Sequence, residues 1–134
     1  MYNLYGIWID HSHAVILKAN KMGEMTAMYF NSAVEPHIHG TADSNEHLSI
    51  VNQGKQEERR HNEMKAFSRE LLKHVEDADE LVIFGPGTAK HEFHHQLEEH
   101  KVLAEKLKGI ETAHELSEAE LKDFMKTFFK LPRD

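Results

Sequence analysis

Leu81-Val82-Ile83-Phe84-Gly85-Pro86-Gly87-Thr88-Ala89-Lys90-His91-Glu92-Phe93 is the stretch that decides the fold. Four apolar residues run straight into Gly-Pro-Gly, and a helical pattern follows at once. A continuous apolar run closed by turn residues reads as a strand buried on both faces, the central strand of a sheet covered by helices. Gly85 and Gly87 allow positive φ and Pro86 fixes its own φ, so Gly85-Pro86-Gly87 predicts a tight structural turn. Thr88 falls at the N-cap position, and Ala89, Phe93 and Leu97 form one apolar stripe at i, i+4 and i+8. The start of such a helix leaves free N–H groups beyond the strand's carboxyl end, where α/β folds place ligands. No Gly-Lys-Ser/Thr follows, however, so the pattern is not a phosphate-binding P-loop.

Upstream, three apolar, aromatic or β-branched runs at 4–10, 13–19 and 24–30 are separated by the turn formers His11-Ser12 and Asn20-Lys21-Met22-Gly23. They predict a three-stranded antiparallel meander. Trp8, between Ile7 and Ile9, belongs to the core. Between 31 and 56 the periodicity dissolves, and a connection this long inside a compact domain reads as a mobile working loop. Met64, Phe67, Leu71 and Val75 then place a helix at 57–75, its other faces mixing Arg59, Arg60, Lys65, Arg69 and Lys73 with acids.

Downstream, the helix opened by Thr88 is expected to end near Lys101, followed by a short strand at 107–112. The last helix carries the strongest local signature. Ser117 and Glu120 form a Ser-x-x-Glu capping box, Leu116 and Leu121 occupy hydrophobic-staple positions, and Leu121, Phe124, Met125, Phe128 and Phe129 share the buried face. The order is βββαβαβα, which implies a mixed five-stranded sheet between helices in one α/β domain spanning 1–134.

Composition excludes several classes. Among 134 residues there is no cysteine, hence no disulfide framework, thiolate nucleophile or Cys-based zinc site. No apolar run approaches the ~20 residues that span a bilayer, and the N-terminus lacks a secretory pattern, so no membrane partner and a cytoplasmic location are expected. A formal charge of −7 argues against nucleic-acid binding over the whole surface but leaves room for a local basic face. Self-association is left open.

Twelve histidines are the compositional oddity. His11 and His13 flank Ser12, and His37 and His39 flank Ile38, with His47 nearby. In extended chain i and i+2 point to one side, so each pair can offer two imidazoles to Zn²⁺ or another divalent metal. Otherwise no cofactor is implied. Asp10 sits where a nuclease would carry a first-strand acid, but only Asp43 and Glu111 offer themselves as companions, too few for that chemistry. His91, His94, His95 and His100 lie off the apolar stripe and read as exposed, titratable groups.

The element order is that of ribonuclease H-like folds, and the quoted stretch narrows it. Its "apolar strand, Gly-Pro-Gly-x-x-Lys-x-x-Phe" pattern, with Lys90 and Phe93 in place, resembles a segment in the middle domain of archaeal and eukaryotic class 1 peptide-chain release factors and of Pelota-type ribosome rescue factors. Lys106-Leu107-Lys108-Gly109-Ile110-Glu111-Thr112 is similar to that domain's next strand, and the helix at 57–75 falls where those proteins carry the long helix after their catalytic loop. The resemblance covers residues 50–130, and with the meander nearly the whole chain. It is nearest to small bacterial release-factor-like proteins related to that domain, and it implies a translation-associated protein that binds ribosome or tRNA.

Release factors carry Gly-Gly-Gln in that loop and use it to place water at the peptidyl-tRNA ester. The matching place here is Gln53-Gly54-Lys55-Gln56, so Gly54 and Gln56 match while Lys55 replaces the second glycine. A side chain where positive φ is needed costs about 1 kcal/mol and obstructs close docking, whereas a lysine can contact phosphate. The resemblance thus implies Gln56 as the residue for any peptidyl-tRNA hydrolase-like catalysis, and Gly54, Lys55, Arg59 and Arg60 as an RNA-binding loop and helix start, with the balance toward binding rather than catalysis. The resemblance does not extend to the codon-reading and partner-binding domains of those factors, so stop-codon recognition is not expected of these residues alone. From a different class, the alternative is a small metal- or ligand-binding regulatory protein that uses the histidine-bearing loop.

Overall fold

The computed structural model describes residues 2–32 and 53–133. Strands β1 (Leu4–Ile9), β2 (His13–Ala19) and β3 (Met25–Asn31) form the expected meander, with Ile7 opposite Ile16 and Ile16 opposite Met28. Helix α1 (Gln53–Lys73) leads to β4 (Glu80–Gly85), followed by α2 (Ala89–Leu97), a short α3 (Lys101–Ala104), β5 (Leu107–Thr112) and α4 (Glu118–Phe129). β4 runs parallel to both β1 and β5, which gives a mixed five-stranded sheet in the order β3-β2-β1-β4-β5.

β1, rather than β4, is therefore the central strand. Both are continuous apolar runs, and only the crossover through α1, which sets β4 beside β1, decides which lies in the middle. All six residues of β1 are buried, and the strand's alternation splits them between two cores. Tyr5, Ile7 and Ile9, with Ile16 and Ile83, meet Met64, Phe67 and Leu71 of α1 and Phe93 and Leu97 of α2. On the opposite face Leu4, Trp8, Leu17, Val82 and Phe84 meet Leu121 and Met125 of α4. The result is a three-layer α/β/α sandwich of ribonuclease H-like type.

Several boundaries depart from the sequence pattern. Helix α1 begins at Gln53, four residues before 57, and so takes in Gly54, Lys55 and Gln56, which were expected in a loop. Gln, Lys and Glu are strong helix formers, and one glycine in the first turn does not outweigh them. Asn31 likewise belongs to β3, and what remains of the expected 31–56 loop falls largely outside the described residues. Helix α2 stops at Leu97 instead of running on to Lys101. A further turn would carry Lys101 into the stripe of Ala89, Phe93 and Leu97. Instead His100 leaves helical geometry (φ −111°, ψ 83°) and the restarted turn buries Leu103.

The ends are tied as follows. Ser117 accepts from the Glu120 N–H and Glu120 accepts from the Ser117 N–H, the anticipated capping box, while Leu116 and Leu121 sit in the same apolar cluster. At the N-terminal end of β1 the Asn3 N–H donates to Asp79 Oδ2 at 2.7 Å, and the Tyr5 hydroxyl donates to Asp77 Oδ1 at 2.7 Å. Burial, reinforced by that bond, raises the Tyr5 phenol well above its ordinary value. The same hydrogen bond holds the Asp77 carboxyl below the ordinary aspartate range.

Candidate functional site

The Gly-Pro-Gly turn performs the structural task its sequence suggests. Gly85 has φ +151° and lies so close to β1 that a Cβ would stand 2.2 Å from the Ile9 carbonyl oxygen. Gly87 has φ +60°, with nothing within 4 Å of a Cβ. Thr88 occupies the N-cap position but makes no side-chain capping bond. Lys90 closes the turn instead. It is 5% exposed, and its Nζ donates to the Gly87 carbonyl at 2.5 Å.

Helix α1 packs beside α2, so the residues singled out upstream stand at one end of the same helical layer as this turn. The backbone of Gly54, Lys55 and Gln56 forms the first turn of α1, and Arg59 and Arg60 lie on its next turn. Over its length α1 carries six basic and four acidic residues, and no acid lies in its first turn. In a chain of charge −7 this is a locally positive element, reinforced at its start by the helix dipole.

Between α1 and α2 lies a cleft of ≈ 210 Å³. His61, Met64 and Lys65 of α1 face His91, His95 and Gln96 of α2, with Thr88 and Glu92 toward the turn. Met64 is 2% exposed and forms apolar floor. Gln96 is 5% exposed, and its Oε1 is buried without a hydrogen-bond partner among the described residues. His91 and His95 stand exposed on α2, as their places off the apolar stripe predict, whereas no sequence motif marks His61 or Gln96. The available signal was a pair of i,i+4 spacings, His61 with Lys65 and His91 with His95, but only the packing of the two helices turns it into one site.

Of the anticipated metal pairs, His11 and His13 make separate contacts. His11 Nε2 sits 2.6 Å from Glu92 Oε2, tying the β1–β2 turn to α2. His13 stacks on Trp8, with ring centroids 4.9 Å apart, and its Nδ1 lies 3.2 Å from Asp10 Oδ1. Among the described residues no group of three or more His, Asp or Glu side chains converges as metal ligands. His37 and His39 lie outside the described residues. Asp10 Oδ1 accepts from the N–H groups of Ser12 and His13 at 2.8 and 2.7 Å, so this carboxylate closes the hairpin.

Strand order, layers and the Gly-Pro-Gly crossover define an α/β protein with the fold of the release-factor middle domain. No family model matches the sequence, and no curated protein matches it. Solved structures do. Pelota from Archaeoglobus fulgidus aligns over 93% of this chain and 31% of its own, with TM-score 0.57 and 15% identity. Thermoplasma acidophilum Pelota aligns over 93% and 32%, with TM-score 0.56 and 13% identity. An archaeal translation termination factor aligns over 94% and 37%, with TM-score 0.50 and 16% identity. This chain thus spans about a third of the length of each, and at these identities the likeness is one of fold. No helix among the described residues is long and apolar enough to cross a membrane.

Proposed function

We propose that this protein is a cytoplasmic, translation-associated, release-factor-like protein that binds ribosome or tRNA through the start of α1. The observation that carries the reading is the fold likeness to Pelota and to a translation termination factor over more than nine-tenths of the chain. Local charge supports it, since α1 is the positive element of an acidic protein. Gly54 and Lys55 supply the backbone and the first cation of the contact, and Arg59 and Arg60 extend it along the helix.

Binding rather than ester hydrolysis is the activity proposed. Lys55 stands in place of a glycine, and the helical backbone at Gly54, Lys55 and Gln56 resembles an extended docking loop poorly. The metal- or ligand-regulator alternative rests on His37 and His39, and no observation among the described residues favours it.

Sedimentation with ribosomes over a salt series tests the proposal. Wild type pellets with ribosomes at low salt and is released as salt rises, while Arg59→Glu/Arg60→Glu binds more weakly and with a salt slope shallower by about 1.5 to 2. No pelleting at low salt refutes the reading. Peptidyl-tRNA on the same ribosomes is expected to stay intact; release that Gln56→Ala abolishes would convert the binding protein into a hydrolase.

A further inference from the structure

We infer that the cleft between α1 and α2 receives a single unstacked nucleobase of an RNA strand whose backbone runs along the basic side of α1. The inference rests on the RNA-binding reading above and deepens it by naming the ligand and its contacts. Four observations converge on it.

The first is shape. At ≈ 210 Å³ the cleft is smaller than the roughly 300–1,000 Å³ of pockets for drug-sized ligands, which suits one ring system with the rest of the molecule outside. The second is the wall. His61 on one helix and His91 and His95 on the other line the cleft with imidazoles, and the buried Met64 lines it too. Flat faces and a polarisable sulfur favour an aromatic ligand over an aliphatic one, and RNA-binding proteins stack splayed bases on such rings.

The third is the unpartnered Gln96 Oε1. A buried carbonyl oxygen without a donor is costly to leave so, and a turn of the Gln96 amide into the cleft it lines would bring that oxygen to an exocyclic amine of adenine, cytosine or guanine, which supplies the missing N–H. The fourth is charge. Lys65 lines the α1 side of the cleft and gives that rim a cation where a ribose-phosphate leaving the cleft would pass. Glu92 is engaged by His11 and keeps an acidic edge at the turn end, which disfavours a free anion inside the cleft. A metal ion is the other natural guest of three imidazoles, but among the described residues no group of three ligating side chains converges.

Anisotropy of labelled octamers of A, C and U at low salt, with the full-length protein, tests this. Amine-bearing A or C octamers should bind at least several-fold tighter than U. Gln96→Leu is close in size and removes the orphaned acceptor, so it should melt at or above wild type yet bind the preferred octamer about tenfold more weakly and lose the preference. His91→Ala/His95→Ala, exposed positions whose truncation spares the core, should weaken all octamers alike.

Octamer binding that Gln96→Leu leaves unchanged overturns the inference, as does binding of an aromatic peptide but no octamer. Either result can coexist with intact ribosome pelleting, in which case the proposed function stands without the base site. Conversely, Gln96-dependent octamer binding without ribosome pelleting leaves the base site standing and removes the ribosome.

Discussion

Alanine at Gly85 should be among the most damaging single-methyl additions in this protein. The added Cβ would lie 2.2 Å from the Ile9 oxygen and 3.2 Å from both the Ile9 carbonyl carbon and the amide nitrogen. These are backbone atoms of the fully buried central strand, which cannot rotate aside as a side chain would. The φ of +151° adds its own cost, since side-chain-bearing residues rarely adopt it. Strained backbone costs about 1–3 kcal/mol and overpacking about 1–3 kcal/mol, so Gly85→Ala should lose about 3–5 kcal/mol. For a domain whose total stability is about 5–15 kcal/mol, that is about a fifth or more.

Gly87→Ala is the internal control. It shares the turn and has positive φ, +60°, but meets no neighbour, so it should lose only about 1 kcal/mol. Gly6→Ala falls between, because the atom in its way is the flexible Met125 sulfur. Urea melts followed by circular dichroism would show the midpoint falling in the order Gly87, Gly6, Gly85 at constant slope. Equal losses for Gly85→Ala and Gly87→Ala would refute the argument that close approach to β1, rather than turn conformation, demands the first glycine.

Ser117→Ala removes one half of the capping box and should cost about 1 kcal/mol, read as a fall of about 3–5 °C in melting temperature; an unchanged midpoint would show that Leu116 and Leu121 hold the helix start unaided. Tyr5→Phe tests the tie to Asp77. Because the hydroxyl depresses the folded carboxyl, its stabilisation is fully present above the unfolded aspartate value near pH 4 and is lost as pH falls through the lower folded value. The gap in melting temperature between wild type and Tyr5→Phe should therefore be wider at pH 7 than at pH 2.5, and modest throughout, since the Asp77 side chain is 56% exposed. A gap independent of pH would refute the linkage.

Much of the fold was legible in the sequence because its signals are local. His13–Ala19 and Leu107–Thr112 end where their apolar patterns end, and the Ser117 box is a three-residue code. The centre of the sheet was not legible. β1 and β4 are equally apolar, and their order depends on a crossover that no periodicity encodes. The helix starting at Gln53 shows propensity overriding a motif-based expectation of loop. Of the site, only its address could be read. The cleft exists because residues near 61–65 meet residues near 88–96, and the His11–Glu92 contact joins groups 81 residues apart. Chemistry assembled across such separations is invisible to spacing rules.

The central place of β1 also has a kinetic consequence. Its antiparallel neighbour follows within a few residues, so the meander can pair as soon as it is made. Its parallel neighbour β4 arrives much later: Asn3 and Asp79, bonded in the folded protein, are 76 residues apart. At synthesis rates of roughly 5–20 residues per second, the inner edge of β1 stays open for roughly 4–15 seconds. Through that interval Leu4, Ile7, Trp8 and Ile9 flank an unpaired row of backbone donors and acceptors, an adhesive edge on the nascent chain. Loop-closure entropy must be overcome before that row is capped, so docking of β4, rather than formation of any hairpin or helix, should set the folding rate.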